Sequence, residues 1–591
     1  MPLDGLFLYG ICRELNDKLK TGRIEKIYQP AREQIVLTIS RPGKKHRLLL
    51  NAGAENPRAH LTDTAGHNPI APPMFCMLLR KHLEGARIIE FRQPGLERVL
   101  DLRADCRDEL GQPVTKSLIC EIMGRHSNII LVNRSGDTIL DGIRRYSHAV
   151  SRHREVLPGR QYLPPPAQGK ADPFALGEEQ FRAKILAGNL DDRLAVVLQR
   201  SLDGFSIPTC REIVHLAGLN ADIILDHCGE HELRTLWQAL QRIVADGKEN
   251  KLRATLVLNA AHEPVDFFPL AVARQTGWHY IPGGANEIAD GFYTRKMERL
   301  RLEQKRKELL AISKKETRRV KKKLALQQKS VVEADEADLF KLYGELLTSY
   351  MYLAHRGMNT IELDNFYDPE SKKVVIPLIP EFTGPENAQA YFKKYNKLRN
   401  TRDTALLMAG KSREELDYLE GVAAYLNMAE CAAELDEIKG ELKSQGYLKE
   451  PPPVPGGRKV KDPKPASKPL RYKSSDGYIV LVGKNNRQND IVTFKMARDE
   501  DTWLHACKIP GSHVIIRSGG REVPPRTLLE AASLAAHFSR AAQSANVPVD
   551  YTLRKNVKKP AGARPGYVIY EKQKTVFVEP RPDAMRPDSG S

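Results

Sequence analysis

The stretch RIEKIYQPAREQIVLTISRPGKKHRLLLNAG (Arg23–Gly53) decides the fold class. Its runs RIEKIYQP, EQIVLTIS and HRLLLNAG alternate apolar and polar side chains and are parted by turns at Pro30, Arg32 and Gly43-Lys44. A period of two marks half-buried strands, and turns this short between them predict a β-meander. Upstream, residues 5–20 read as a short amphipathic helix. Downstream, PPMFCMLLRKHLE (72–84) reads as a second helix entered through two prolines. RIIEFRQPGLERVLDLRA (87–104) then predicts a hairpin turning at Pro94-Gly95, and SLICEIMGRHSNIILVNRSGDTILDGIRR (117–145) adds two or three strands. Residues 1–170 are therefore expected to form an α+β domain. It closes on the Pro-rich connector LPGRQYLPPPAQGKADP (157–173), which can continue neither helix nor sheet.

Beyond the connector, residues 171–285 are expected to be a helical region. Within it, LAVVLQRSLDGFSIPTCREIVHLAGL (194–219) reads as two helices joined at Asp203-Gly204. Such a unit is either a packed helical hairpin or a helix-hairpin-helix that offers free N–H groups to a phosphate. Residues 286–450 are expected to form a long antiparallel coiled-coil arm. A helix over 293–357 carries Leu339, Leu342, Leu346, Tyr350 and Leu353 on one face, and a return helix over 386–445 has Leu419/Leu426 and Leu435/Leu442 seven apart. PPPVPGGRKVKDPKPASKP lies in an extended linker, assigned to 451–470. In the compact α+β domain expected over 471–580, GYIVLVG and IVTFKMA read as strands flanking a polar loop, KNNRQND, and an Ala-rich helix spans 527–545. A disordered tail is expected over 581–591.

Composition narrows the partners. With 41% hydrophobic and 28% charged residues in 591, the chain is an ordinary folded, multidomain protein. Its net charge of +18 is unevenly placed: residues 293–330 hold 15 basic and 4 acidic side chains, residues 451–591 hold 25 and 13, and the rest sums to −5. Two basic zones on a neutral body suit a polyanion, because clustered Lys and Arg release counterions from phosphates. An anionic membrane surface satisfies the same electrostatics. The opening MPLDGLFLYGICREL lacks the basic n-region of a signal peptide and no run reaches membrane-span length, so a cytoplasmic protein is expected. The cysteines Cys12, Cys76, Cys106, Cys120, Cys210, Cys228, Cys431 and Cys507 lie far apart with no C-x-x-C pair, against a disulfide framework or zinc ribbon.

Several constellations admit chemistry. His505, Cys507 and His513 in WLHACKIPGSHVII (503–516) are possible zinc ligands, but no fourth ligand follows except His537 on a helix. Cys507 as a nucleophile would need a base and an electropositive pocket. A third reading takes the domain as a whole. Lys484, Asn485, Asn486, Arg487, Gln488, Asn489 and Asp490 form a donor-rich loop, and Ser512 lies in a second polar turn. Lys555, Lys558, Lys559 and Arg564 add cations, with Trp503, Tyr551, Tyr567 and Tyr570 interleaved. Cations and amides suit phosphates, while aromatic faces suit unstacked bases. At the N-terminus, Pro2 would supply the secondary amine of a DNA glycosylase/lyase, but Leu3 stands where such enzymes carry glutamate. Glu97-Arg98 and Glu121–Arg125 place charges at strand ends, where arginine can clamp phosphate and carboxylate can accept from a base amine.

EIMGRHSNIILVN (121–133), NAQAYFKKYNKLRN (387–400), GKNNRQND (483–490), WLHACKIPGSHVII and VDYTLRKNVKKPAGARPGYVIY (549–570) together resemble the NFACT family, in family order and over nearly the whole chain. The resemblance implies an NFACT-N domain, a helix-hairpin-helix, a coiled-coil middle domain and an NFACT-R RNA-binding domain. It implies ribosome-associated quality control: binding a large ribosomal subunit that still carries peptidyl-tRNA, and recruiting a tRNA, typically alanyl-tRNA, for template-free C-terminal tailing that marks the chain for degradation. Peptidyl transfer would belong to the ribosome, so no catalytic residue, metal or cofactor is expected. A monomer is expected on the ribosome, with rRNA and a stalk-base protein as partners and no membrane. By motif, the tRNA-reading residues fall on Asp4, Glu97, Arg98, Glu121, Ile122, Met123 and Arg125. The first of the 97–98 pair is usually aspartate in the family, and Glu97 adds one methylene. Lys484, Asn485, Asn486, Asn489, Asp490, Trp503, His505, Ser512, His513, Lys555, Lys558 and Lys559 are the expected RNA-facing set of the last domain. A cell-surface fibronectin-binding adhesin and a DNA-glycosylase-like protein stand as the other readings.

Overall fold

The computed structural model describes residues 3–587 except 65, 67, 70, 108–109, 150–152, 273–275, 335, 370–371, 449–466, 582 and 584. Of the linker expected over 451–470, residues 451–466 lie outside the described residues, as do Pro2 and most of the expected tail, and Leu470 already begins a strand. The chain gathers into two compact units, Met1–Arg299 and Leu300–Ser591. No helix among the described residues is long and apolar enough to cross a membrane.

The first unit is built on an antiparallel nine-stranded sheet ordered β4-β3-β2-β1-β5-β6-β7-β8-β9. The meander supplies β1 (Arg23–Ala31), β2 (Gln34–Arg41), β3 (Lys44–Asn51) and β4 (Arg58–Leu61); the hairpin supplies β5 (Arg87–Arg92) and β6 (Val99–Arg107). The last three strands are β7 (Pro113–Glu121), β8 (Asn128–Asn133) and β9 (Thr138–Gly142). Helices α1 (Gly5–Leu19) and α2 (Met74–Leu83) bury Phe7, Ile11, Leu15, Leu79 and Leu83 with Ile24, Leu37, Leu100 and Leu118 of the strands. Next come α3 (Glu178–Leu186), α4 (Leu194–Ser201), α5 (Ile207–Leu216) and α6 (Glu230–Lys248), which share a second core around Phe181, Leu198, Ile213 and Leu236. Residues 254–283, read from sequence as part of a helical region, instead form the three-stranded sheet β10 (Ala254–Leu258), β11 (Pro264–Phe268) and β12 (His279–Gly283). Leu256, Leu258 and Phe267 join the first core. These strands are too short for their period to stand out from the turns around them.

In the second unit the arm is antiparallel. Helices α7 (Ala285–Ala334) and α9 (Gly384–Met428) are bridged by Ser313 Oγ to Leu419 O at 3.2 Å, Arg319 to Glu415 at 3.5 Å and Lys321 to Glu420 at 3.2 Å. Arg306, early on α7, donates to the Ala429 carbonyl just past the end of α9, while Arg319 further along α7 reaches back to Glu415, so the two helices run in opposite directions. The expected single helix over 293–357 is corrected: α7 stops at Ala334, and α8 (Ala337–Ser349) is a separate helix. The Leu342/Leu346/Tyr350 stripe shares its core with Ala388 and Tyr391 of α9, so a helix–helix seam is present. The stripe also packs on the hairpin β13 (Thr360–Asp364) and β14 (Lys373–Pro377) through Ile361, Leu363 and Ile376. The return helix is also interrupted, with α10 (Ala432–Ser444) folding Leu435, Ile438 and Leu442 onto Leu419 and Leu426.

The C-terminal domain is a seven-stranded antiparallel sheet, β22-β19-β17-β18-β16-β15-β23. Its strands are β15 (Leu470–Lys473), β16 (Ile479–Val482), β17 (Thr502–Ala506), β18 (Val514–Ile516), β19 (Val547–Leu553), β22 (Lys574–Val578) and β23 (Arg586–Pro587). A separate pair, β20 (Val557–Lys558) with β21 (Ile569–Tyr570), accompanies it. Helix α12 (Pro525–His537) covers one face with Ala531, Leu534 and Ala535. The other face buries Leu481, Val492, Trp503, Ile515 and Val557. The strand expected at IVTFKMA is corrected: α11 (Asn486–Ile491) runs into a π-helical turn, Val492–Met496. The Asn485 side chain caps α11 by accepting from Gln488 N at 2.9 Å, and a short apolar run is compatible with helix once it is capped.

Candidate nucleic-acid interface

The N-terminal candidates converge where three turns interlock. Asp4, 4% exposed, caps α1 by accepting from Phe7 N at 2.9 Å. It also accepts from Ser206 N at 3.1 Å and Thr209 Oγ1 at 2.6 Å at the start of α5. Burial holds its carboxyl above the usual range, against the pull of those bonds. Leu6 N donates to Gly204 O at 3.0 Å, and Gln93 Nε2 bonds Gly5 O at 2.9 Å and Glu97 O at 2.8 Å. The approach leaves no space for a side chain: a Cβ on Gly5 would stand 1.9 Å from Leu96 O, and one on Gly204 2.3 Å from Leu96 Cβ. Asp4 is thus the bolt between α1 and the α4–α5 turn, at the lining of the cleft those turns frame.

These turns frame a cleft of about 320 Å³ lined by Glu97, Arg98, Gln168, Lys170, Gln199, Asp203 and Ser206. Three carboxylates, with Asp4 the third, and two cations share it. Burial, then the charge of Asp203, raises the Glu97 carboxyl, while Arg98 and Lys170 oppose the rise. Gln168, Lys170, Asp203 and Ser206 were not singled out from sequence as ligand-facing. The local signals were the Asp203-Gly204 joint of the possible helix-hairpin-helix and the polar QGK interrupting a Pro-rich connector.

Beside the cleft, Ile122 N donates to Arg98 O at 2.8 Å, continuing the ladder past the Val99↔Glu121 pair. Glu121 is fully buried and paired: Arg154 grips it bidentately at 2.7 and 2.5 Å, and Tyr162 OH donates at 3.0 Å. Burial alone would lower the Arg154 pKa, but its bonds to Glu121 outweigh this and raise it. The expected acceptor for a base amine is corrected, since both Glu121 oxygens are occupied inside the protein. Ile122 is equally buried and Met123 half-buried; Arg125 is exposed on a turn braced by Arg144 donating to Arg125 O at 2.8 Å. Glu97, Arg98, Met123 and Arg125 therefore line one rim of the sheet, supported from below by Asp4, Glu121 and Ile122.

The C-terminal set is placed differently from the expected open loop. Asn485, Asn486, Asn489, Ser512 and His513 are buried, and Trp503 is wholly enclosed. Lys484 pairs with Glu434 at 2.7 Å, Asn485 donates to Glu437 at 2.8 Å and Asn486 to Glu441 at 2.9 Å. Asn489 donates to Tyr425 OH at 2.8 Å, and Asp490 binds Lys559 at 2.5 Å. Ser512 Oγ donates to Gly483 O at 2.6 Å. His513 Nδ1 meets Thr493 Oγ1 at 2.8 Å and His505 Nε2 meets Gly511 O at 3.3 Å, so these rings are engaged with the protein, their centroids 5.4 Å apart. Burial lowers the pKa of both imidazoles. Cys507 is a free thiol whose pKa burial raises. Among the described residues, no three His, Cys, Asp or Glu side chains are placed to share a metal ion. Lys555 and Lys558 are exposed.

Residues 4–459 match the family profile described as NFACT N-terminal and middle domains, and residues 468–571 that of the NFACT protein RNA binding domain. The chain is similar to the Rqc2 homolog RqcH of Bacillus subtilis, at 38% identity over 587 residues and 99% of each chain. It is also similar to the Rqc2 homolog RqcH of Streptococcus suis, at 34% identity over 587 residues and 99% of each chain. Among solved structures it is similar to the C-terminal part of the fibronectin/fibrinogen-binding protein from Streptococcus suis. That match has 35% identity, covers 48% of this chain and 98% of that one, and has a TM-score of 0.38.

Proposed function

From the premise that this chain belongs to the NFACT family, we propose that it is a ribosome-associated quality-control factor. It binds a large ribosomal subunit holding peptidyl-tRNA and recruits a further tRNA, alanyl-tRNA by family analogy, for template-free tailing of the stalled chain. The carrying observation is end-to-end similarity, 38% over 99% of the chain, to a protein called an Rqc2 homolog. The cleft of about 320 Å³ supports tRNA reading, because Arg98 and Lys170 set cations for phosphate and Glu97 a carboxylate for a base edge in its lining, with Met123 and Arg125 on the adjoining rim. The basic first half of the arm and exposed Lys555 and Lys558 suit rRNA contacts at separate places. Peptidyl transfer is assigned to the ribosome, with the stalk base as the arm's contact and the protein monomeric.

Arg98→Ala tests the division of labour. Co-sedimentation is expected to show large-subunit binding retained and co-purifying tRNA lost, and sequencing the wild-type tRNA identifies the species chosen. Loss of both activities together would show that the cleft is not a dedicated tRNA reader. Recovery of the protein at the cell surface, with none on large subunits, would instead favour the adhesin reading.

A further inference from the structure

The donor-rich segment of the RNA-binding domain meets carboxylates in this structure. Glu434, Glu437 and Glu441 lie three and four residues apart, on one face of α10. They take Lys484, Asn485, Gln488 and Asn486 at 2.7, 2.8, 3.1 and 2.9 Å respectively. Carboxylate and phosphodiester oxygens are the same class of acceptor for ammonium and amide donors, so α10 fills the places that RNA phosphates would take.

The contact is also one that a competing polyanion can displace. Glu441 is 1% exposed and accepts from the neutral Asn486 amide, with the Arg487 charge acting on it from nearby. Glu437 is held by the neutral amides of Asn485 and Gln488 and by the Ser467 N–H. Carboxylates desolvated against neutral donors gain little over water, so the Glu437 and Glu441 contacts add little to docking, which rests on the Lys484–Glu434 pair and on Leu435, Ile438 and Leu442.

We propose that the acidic face of α10 is an internal competitor for RNA: residues 484–488 hold either these carboxylates or the phosphodiester backbone of single-stranded RNA, never both. The inference rests on this domain binding RNA, the reading its family gives it.

The test uses the full-length protein and a single-stranded oligouridylate carrying 4-thiouridine, with photo-crosslinks mapped by mass spectrometry. Glu434→Gln/Glu437→Gln/Glu441→Gln is compared with wild type and with Glu362→Gln/Asp364→Asn/Glu381→Gln. The second set removes the same charge from exposed residues on or near the β13–β14 hairpin. Crosslinking within 484–488 is expected to rise about tenfold in the α10 variant alone. Glu437→Gln by itself, which preserves volume, guards against unfolding and is expected to raise it about threefold. An equal rise in both triple variants would reduce the effect to net charge and overturn the proposal. Crosslinks confined to the Lys555–Lys558 side in every protein would overturn it while leaving RNA binding intact. No crosslink anywhere would remove the RNA-binding reading itself.

Discussion

Replacing Glu121 with alanine separates a buried ion pair from an RNA reader. Glu121 is 0% and Arg154 8% exposed, and the pair is bidentate at 2.7 and 2.5 Å with Tyr162 OH at 3.0 Å. Removing the carboxylate leaves a guanidinium in a protein interior without its charged partner, with Leu163 O, at 2.8 Å, still accepting from it. An uncompensated buried charge of this kind costs about 3–5 kcal/mol. At roughly 2–4 °C per kcal/mol, the melting transition of the first unit should fall by about 6–20 °C. Differential scanning calorimetry reads the shift. Glu121→Met/Arg154→Met removes both charges together and is expected to recover most of the loss, giving a large coupling in the double-mutant cycle. Glu121→Ala that melts like wild type yet loses tRNA would refute the reasoning and restore Glu121 as a direct reader.

Two further predictions concern other packing points. Gly204 has φ +81° and a Cβ there would stand 2.3 Å from Leu96 Cβ, so Gly204→Ala should destabilise by about 2–5 kcal/mol and weaken tRNA binding; an unchanged urea midpoint would sink the interlocked-turn account. His505 and His513 are both held neutral by burial, with folded pKa values below the unfolded value near 6.5. The unfolded chain then binds more protons below about pH 6.5, so the C-terminal domain should lose stability as pH falls from about 7 towards 5 and show no contribution from these groups above that range. His513→Gln should flatten the profile, and an unaltered slope in chemical denaturation would count against it.

Much of the fold is legible because its signals are local. The meander, the Pro94-Gly95 turn and both helices of the first domain fall within a few residues of their expected bounds. The Asp203-Gly204 joint between α4 and α5 was likewise readable. Three features escaped. Strands β10–β12 are too brief to declare a period, the Leu342/Leu346/Tyr350 face packs not only on α9 but also on a small hairpin, β13 and β14, that its spacing does not announce, and Val492–Met496 alternates like a strand while sitting in a capped helix. Of the candidate site, the motif residues Glu97, Arg98, Met123 and Arg125 fall on one rim of the sheet and Asp203 belongs to the helical joint read from sequence, but Lys170 reaches the cleft from the connector with no motif to mark it.

Charge zones, strand periods and turn residues are properties of neighbours along the chain, and the sequence alone determined them, together with the family likeness. Which polar residues face outward is decided by what packs on them. Glu121 is closed by Arg154, 33 positions on, and Asn485 and Asn486 by glutamates 48 and 45 positions back. Only the tertiary structure brings such groups together, because desolvation and partner geometry, unlike periodicity, depend on residues the local sequence does not contain.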